Sequence, residues 1–441
     1  MMRRFLIACF VLFAGAAQAL AVPAIQEAKL SNGLRVLLVE AHNVPMVAMQ
    51  LAMPAGSRFD PDGKGGAATM LATMLADHTA KHDDEALADW LDARAIRLGA
   101  DADQDTLGIS VTALTEQLQP ALDMLSECLL TPGWDNKRFK VLQQDAVAAA
   151  QKSLEEPGVR AGEASAELLF GGHPYGHRPD GTPESLAAIR LDDLQAIYRA
   201  QLKPEGSVLA VSGDISMKQL LPLLEKRLGG WQGKPAKGIF DLASAPAVAG
   251  KSERIQMSTT QTLLQLVRQG PARSAPDFFP VFVMNHMLGG GGFSSRLMAE
   301  VREKRGLVYG VYSYFVPLAV PNTFAIMLQT RADQADEAGK VVREVMRGMA
   351  AGKIGEKELK AAKDNLIGSF AQRMDSNHER VGLMAMIGMY DLPLDYLQVW
   401  TSRIESVTLA QVRDEAAKWL DPAAWNEVRV GPASRNKGKQ S

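Results

Sequence analysis

The chain has 441 residues, 47% of them hydrophobic and 22% charged, with a formal net charge of −2. That length exceeds what one hydrophobic core usually supports, so two or more domains are expected. The near-neutral balance excludes a nucleic-acid binder that relies on a basic surface.

The N-terminus is set apart. Met1 to Arg4 is short and basic, Phe5 to Ala17 is an apolar run, and Ala17-Gln18-Ala19 or Ala19-Leu20-Ala21 supplies a small-x-small cleavage site. The apolar run is too short to span a bilayer. Residues 1–21 therefore read as a cleaved signal peptide, which implies export to a bacterial-type periplasm. Of the two cysteines, Cys9 lies in that signal, so Cys128 remains alone and no intrachain disulfide is possible. Its setting, LDMLSECLL, is that of a buried structural thiol.

Residues 34–56 carry two apolar strands broken at Asn43-Val44-Pro45. AATMLATML, opened by Gly65-Gly66, follows as an amphipathic helix with Leu71, Met74 and Leu75 on its apolar stripe and Thr69, Ala72 and Thr73 on the remaining face. His78 and His82 are four residues apart, followed by Asp83, Asp84 and Glu85. They read as a polar loop entering a capped helix, because no helical frame aims them at one point and no base accompanies them. Residues 106–114 alternate as a strand, and helices follow at 118–130 and 138–151.

Residues 233–250 are rich in Pro, Gly, Ala and Ser and form a linker. It separates an N-terminal domain, 22–232, from a C-terminal domain, 251–435, with a disordered tail at 436–441. The two halves repeat. Residues 189–213 lie over 407–431 without a gap, pairing Leu191 with Leu409, Leu202 with Leu420, Pro204 with Pro422 and Gly213 with Gly431. Upstream, TFAIMLQTR and the helices at 337–349 and 356–370 repeat the strand-helix-helix order of the first half. Two copies of one α+β domain follow, each an antiparallel sheet with helices on one face.

The second half also holds LGGGGFSSRLMAEVREKRGLVYGVYSYF, residues 288–315. Gly289, Gly290, Gly291 and Gly292 are expected outside any helix interior, with room for close backbone approach. Ser294 to Arg305 reads as an amphipathic helix with Leu297 and Val301 inward, and Tyr309 opens a strand seven residues after Arg302.

This string, with NGLRVLLVE, P-A-G-S-R-F-D at 54–60, H-P-Y-G at 173–176, G-T-P-E-S at 181–185 and V-S-G-D at 211–214, resembles the pitrilysin and insulinase family of zinc peptidases. The likeness is to the branch containing mitochondrial processing peptidase, and it covers the mature chain. It implies two homologous domains arranged as half of a clamshell. In that family the first helix carries H-x-x-E-H, two zinc-binding histidines and an activating glutamate. The matching positions here are Thr69, Ala72 and Thr73, and the third ligand position falls at Ala148, Ala149 or Ala150. A threonine hydroxyl is a far poorer zinc ligand than imidazole. The resemblance therefore implies no metal in this chain.

What the resemblance leaves in place is Arg302 and Tyr309, which in the family bind the substrate carbonyl and stabilise the tetrahedral intermediate. It implies peptide hydrolysis with a homologous zinc-bearing partner subunit, zinc residing in that partner, on short or unfolded peptides held in part by Gly289–Gly292. It also allows a binding or scaffold homologue with no chemistry, like the family's core subunits in respiratory complexes. In the family the His173/His177 segment is structural.

Overall fold

The computed structural model describes residues 23–433, so the stretches read as a signal peptide, 1–21, and as a tail, 436–441, lie outside the described residues. Eleven strands form two sheets. The first contains Gln26–Lys29 (β1), Arg35–Glu40 (β2), Met46–Met53 (β3), Arg97–Ala102 (β4), Leu107–Leu114 (β5) and Val208–Gly213 (β6). The second contains Ser252–Gln256 (β7), Gln261–Gln269 (β8), Val308–Phe315 (β9), Thr323–Arg331 (β10) and Asn426–Gly431 (β11).

The sheet orders are β1-β2-β6-β3-β5-β4 and β7-β11-β8-β10-β9. Apart from the extra edge strand β1, the two are one topology written twice. Both are antiparallel except for one parallel pair in each, β2 with β6 and β11 with β7. Those pairs occupy matching places because each joins the copy's first sheet strand to its last. The ungapped repeat read from sequence has the same geometry: helices Leu191–Gln201 and Leu409–Trp419 precede β6 and β11 at a constant offset.

Each sheet packs one face against helices of its own copy, giving two separate cores. One gathers Leu51, Leu71, Leu75, Ile109 and Leu125, the other Leu264, Val301, Ile326, Met346 and Ile404. The opposite faces are covered reciprocally. Helix Pro157–Phe170 of the first copy lies on β8 and β11 of the second, and helix Asn377–Met389 of the second lies on β3 and β6 of the first. Polar pairs hold both contacts: Ser165 Oγ lies 3.2 Å from Gln265 Oε1, and Ser212 Oγ donates to Asn377 Oδ1 at 3.0 Å. A third core, built from Leu37, Val208, Val267, Ala325, Met384 and Tyr390, fills the join. The buried residues of each helix, such as Ala161 and Ala164 or Met384 and Gly388, face the other copy's sheet.

Gly388 shows how close that contact is. A Cβ there would meet Val208 Cγ1 at 2.6 Å and Cγ2 at 2.9 Å. Gly388→Ala is expected to lower stability by about 1–3 kcal/mol through overpacking, against roughly 1 kcal/mol gained in helix propensity. Urea unfolding of the two proteins checks this, and a more stable variant would show the contact to be loose.

A buried polar cluster also crosses the join. Asp105 is wholly enclosed. Its carboxylate accepts hydrogen bonds from Arg58 Nη1 at 3.2 Å, Tyr175 Oη at 2.6 Å, Tyr390 Oη at 3.1 Å and the Ala319 amide at 2.9 Å. Arg58 continues to the carbonyls of Gly238 and Ile239 in the 233–250 stretch, which has no strand or long helix. Both halves and the connecting segment thus meet at one carboxylate. Burial, with the Asp105 charge beside them, pushes the Tyr175 and Tyr390 phenols well above their usual range.

Candidate functional site

The degenerate helix runs from Ala67 to Asp77. It starts where it does for two reasons. Gly66 adopts φ +96°, and a Cβ there would strike Leu186 Cδ2 at 2.7 Å. The Asp60 carboxylate then accepts the amides of Gly66 and Ala68 at 2.8 and 2.7 Å, satisfying donors left free at the helix start. His177 Nε2 lies 3.2 Å from Asp60 Oδ2 and 2.9 Å from the Ser57 carbonyl. The 54–60 and 173–177 motifs therefore meet, and their polar residues are spent on capping the helix and on the Asp105 cluster.

On that helix Thr69 is half-buried, Ala72 is buried in the first core and Thr73 is exposed. Thr69 Oγ1 donates to the Pro179 carbonyl at 2.7 Å, and Thr73 Oγ1 donates back to the Thr69 carbonyl at 3.0 Å. Both hydroxyl protons are committed within the chain. Ala148, Ala149 and Ala150 sit on helix Asn136–Ser153, which packs beside this helix and offers methyl groups there. Among the described residues no group of three or more His, Cys, Asp or Glu side chains could hold a metal ion.

His78 and His82 point to different partners. His78 Nδ1 lies 2.9 Å from Asp77 Oδ2, while His82 Nδ1 lies 2.8 Å from Glu127 Oε1. Asp83 caps helix Asp84–Asp92 by accepting the Ala86 amide at 2.8 Å, as its sequence suggests. Cys128 is fully buried, and burial pushes its thiol up to about 12, far from a nucleophile's range. His173 Nε2 lies 2.8 Å from the Ala243 carbonyl and its Nδ1 accepts the Tyr175 amide at 3.1 Å, so both ring nitrogens have partners within the chain.

Arg302 and Tyr309 do come together. Arg302 lies on a widened turn, Met298–Glu303, where Val301, and Leu297 just before the turn, are wholly buried. Its guanidinium stands 5.2 Å from the Tyr309 ring and 4.7 Å from the Phe293 ring. No carboxylate pairs with it among the described residues. Tyr309 is 88% exposed and Phe293 68% exposed, so the stack faces outward. Phe293 is the member that sequence reasoning missed; its place directly after the glycine run is the only signal it gave. Tyr309 also lines a cavity of about 630 Å³ on the uncovered end of the second sheet, with Leu263, Tyr312, Met327, Gln329 and Arg331.

The glycine run departs from the expectation that it lies outside any helix. Gly289 and Gly290 belong to a widened helical turn, His286–Gly290. The reason is packing: a Cβ on Gly289 would come within 2.6 Å of the Ser313 amide on β9, so only glycine lets this turn press against the strand. Gly291 follows at φ −81°, and Gly292 adopts φ +58° with open space around its Cα. None of the four lines the cavity beside Tyr309.

Comparisons with known proteins agree with this architecture. Residues 35–163 match the family described as insulinase (peptidase family M16), and residues 188–366 match the peptidase M16 inactive domain. A Helicobacter pylori protein named "Non-peptidase homolog YmxG" is 26% identical over 425 residues, covering 94% of this chain and 95% of that protein. A Bacillus subtilis protein named "Uncharacterized zinc protease YmxG" is 25% identical over 351 residues, 79% of this chain and 84% of that one. A Pseudomonas fluorescens crystal structure described as a peptidase M16 inactive domain superposes with a TM-score of 0.88 at 31% identity, covering 92% of this chain and 98% of that one. A Helicobacter pylori protease structure shares the fold at a TM-score of 0.87 and 18% identity, over 93% and 100% of the two chains. The chain belongs to the insulinase family, peptidase family M16, as a homologue that lacks the family's zinc motif.

Proposed function

We propose that this chain is a non-peptidase member of its family, exported to the periplasm, which binds peptide or a homologous subunit and hydrolyses nothing alone. The observation that carries this reading is the helix Ala67–Asp77. Its two threonine hydroxyls are bonded inside the chain and Ala72 is core, so the positions for two ligands and the base hold no group able to bind zinc or activate water.

A second reading rests on a different observation, the outward stack of Arg302 and Tyr309. A permanently charged guanidinium with no acid partner, beside an exposed phenol, is the donor pair that a developing oxyanion needs. In this reading the chain is the non-zinc half of a two-chain peptidase. A homologous zinc-bearing subunit supplies metal and base, and Arg302 and Tyr309 hold the substrate carbonyl of an extended peptide.

One assay tests both. The mature chain, alone and mixed with a zinc-bearing homologue from the same genome, is incubated with an unfolded polypeptide and cleavage is followed by mass spectrometry. The first reading expects no cleavage by the chain alone, and cleavage there would overturn it. Activity appearing only in the mixture supports the two-chain peptidase; a mixture no more active than the zinc subunit alone removes it.

A further inference from the structure

Away from the Arg302 stack, the second half collects arginines that meet no acid. Arg273 lies in the loop after β8, Arg373 in the turn Ala371–Met374, and Arg403 on helix Tyr396–Ser406. Each rests on an aromatic ring. Arg273 stands 5.6 Å from Phe278 and 5.7 Å from Tyr390, Arg373 5.9 Å from Phe282 and 5.7 Å from Trp400, and Arg403 5.6 Å from Phe279. Four of those rings are linked to one another and to Tyr396: Phe278 is 5.6 Å from Phe279 and 6.0 Å from Phe282, Phe282 is 6.0 Å from Trp400, and Phe279 is 6.1 Å from Tyr396.

All three cations thus rest on rings of one linked cluster that also includes Tyr396. Burial pushes the Tyr396 hydroxyl up, and Arg273, Arg403 and Arg373 all pull it the other way. Asp375, Asp395 and Glu405 are near in sequence, yet no ion pair joins any of them to the three arginines among the described residues. Arg273 Nε is enclosed with no hydrogen-bond partner, and burial draws its guanidinium below its usual range. An enclosed guanidinium nitrogen without an acceptor is costly, and an anion that accepts from it removes that cost. A guanidinium stacked on a ring keeps its N–H edges free, and those edges match the oxygens of a phosphate in pairs.

We propose that Arg273, Arg373, Arg403 and Tyr396 form a binding site for a phosphate group, carried by a small phosphorylated molecule or by an anionic lipid headgroup. Three cations over one aromatic cluster exceed the charge of a single carboxylate and suit a dianion. Nothing in this site depends on the zinc motif or on Arg302, so it stands apart from the family's chemistry.

The test uses the mature full-length chain. Pyrophosphate is titrated by calorimetry at low ionic strength, and flotation with phosphatidylglycerol vesicles is compared with phosphatidylcholine vesicles. Saturable 1:1 pyrophosphate binding without flotation assigns a soluble phosphorylated ligand, and flotation selective for phosphatidylglycerol assigns the headgroup. In either case Arg373→Gln with Arg403→Gln weakens binding at least tenfold, while Arg199→Gln on the first half leaves it unchanged. Both substituted arginines are exposed, and circular dichroism confirms the fold; Arg403→Gln alone, at least threefold weaker, serves if the double variant unfolds. Failure to bind either probe, or equal binding by the Gln variants, overturns the proposal.

Discussion

Asp105→Ala is expected to lower the free energy of unfolding by about 3–5 kcal/mol, because it strands the Arg58 charge in a dry interior and unpairs two phenols at once. The carboxylate is wholly buried and its four donors come from both halves of the chain. Asp105→Asn keeps the volume and part of the hydrogen bonding, so its loss is expected to be smaller while remaining above 1 kcal/mol. Urea denaturation read by tryptophan fluorescence and by circular dichroism supplies the measurement. A drop below 1 kcal/mol for the alanine variant would mean that the join is held by the apolar contacts of Val208, Met384 and their neighbours rather than by this cluster.

The largest effect on activity belongs to the two-chain reading. In a mixture with a zinc-bearing homologue, Arg302→Ala is expected to reduce kcat by about 10²–10³-fold, the scale seen when one oxyanion donor is removed. Tyr309→Phe removes one neutral hydrogen bond and keeps the ring against Arg302, so a smaller loss of about tenfold is expected. The reductions should appear in kcat rather than KM, because the donors act on charge that develops during the reaction. Mixtures in which both variants are as active as the unaltered chain would leave Arg302 and Tyr309 without a catalytic role and favour binding alone.

Much of this was legible beforehand because the chain repeats. The ungapped match of 189–213 with 407–431 forces matching helix-strand units, and the two sheets share their order. Helices with a clear apolar stripe, such as 118–130 and 356–370, begin and end where their pattern does. Other elements left weak traces. Strand β4, RLGADA, has glycine, alanine and aspartate at four of its six positions, and its pairing is set by β5 rather than by β-propensity. Strand β7, SERIQ, is mostly exposed at a sheet edge and reads as polar loop.

The reciprocal helices were invisible for a different reason: contacts between Asn377–Met389 and the first sheet join residues more than 150 positions apart, and no local period encodes them. Asp105 was hidden likewise, one acid among several in DADQD until the fold encloses it. At the candidate site, the family resemblance paired Arg302 with Tyr309, which lie 5.2 Å apart, and pointed to the helix of Thr69, Ala72 and Thr73. Sequence reasoning missed Phe293, and it placed all four glycines outside helical turns, whereas Gly289 is there to let a turn meet β9.

The most direct measurement is the zinc affinity of the mature chain on its own. After purification without chelators, metal analysis is expected to find well under one zinc per chain, and titration with zinc in a competing indicator should show no site tighter than micromolar. Introducing Thr69→His, Ala72→Glu, Thr73→His and Ala149→Glu together should create one, provided the buried glutamate is tolerated. Stoichiometric, tightly held zinc in the unaltered chain would contradict the conclusion that this helix has lost its chemistry.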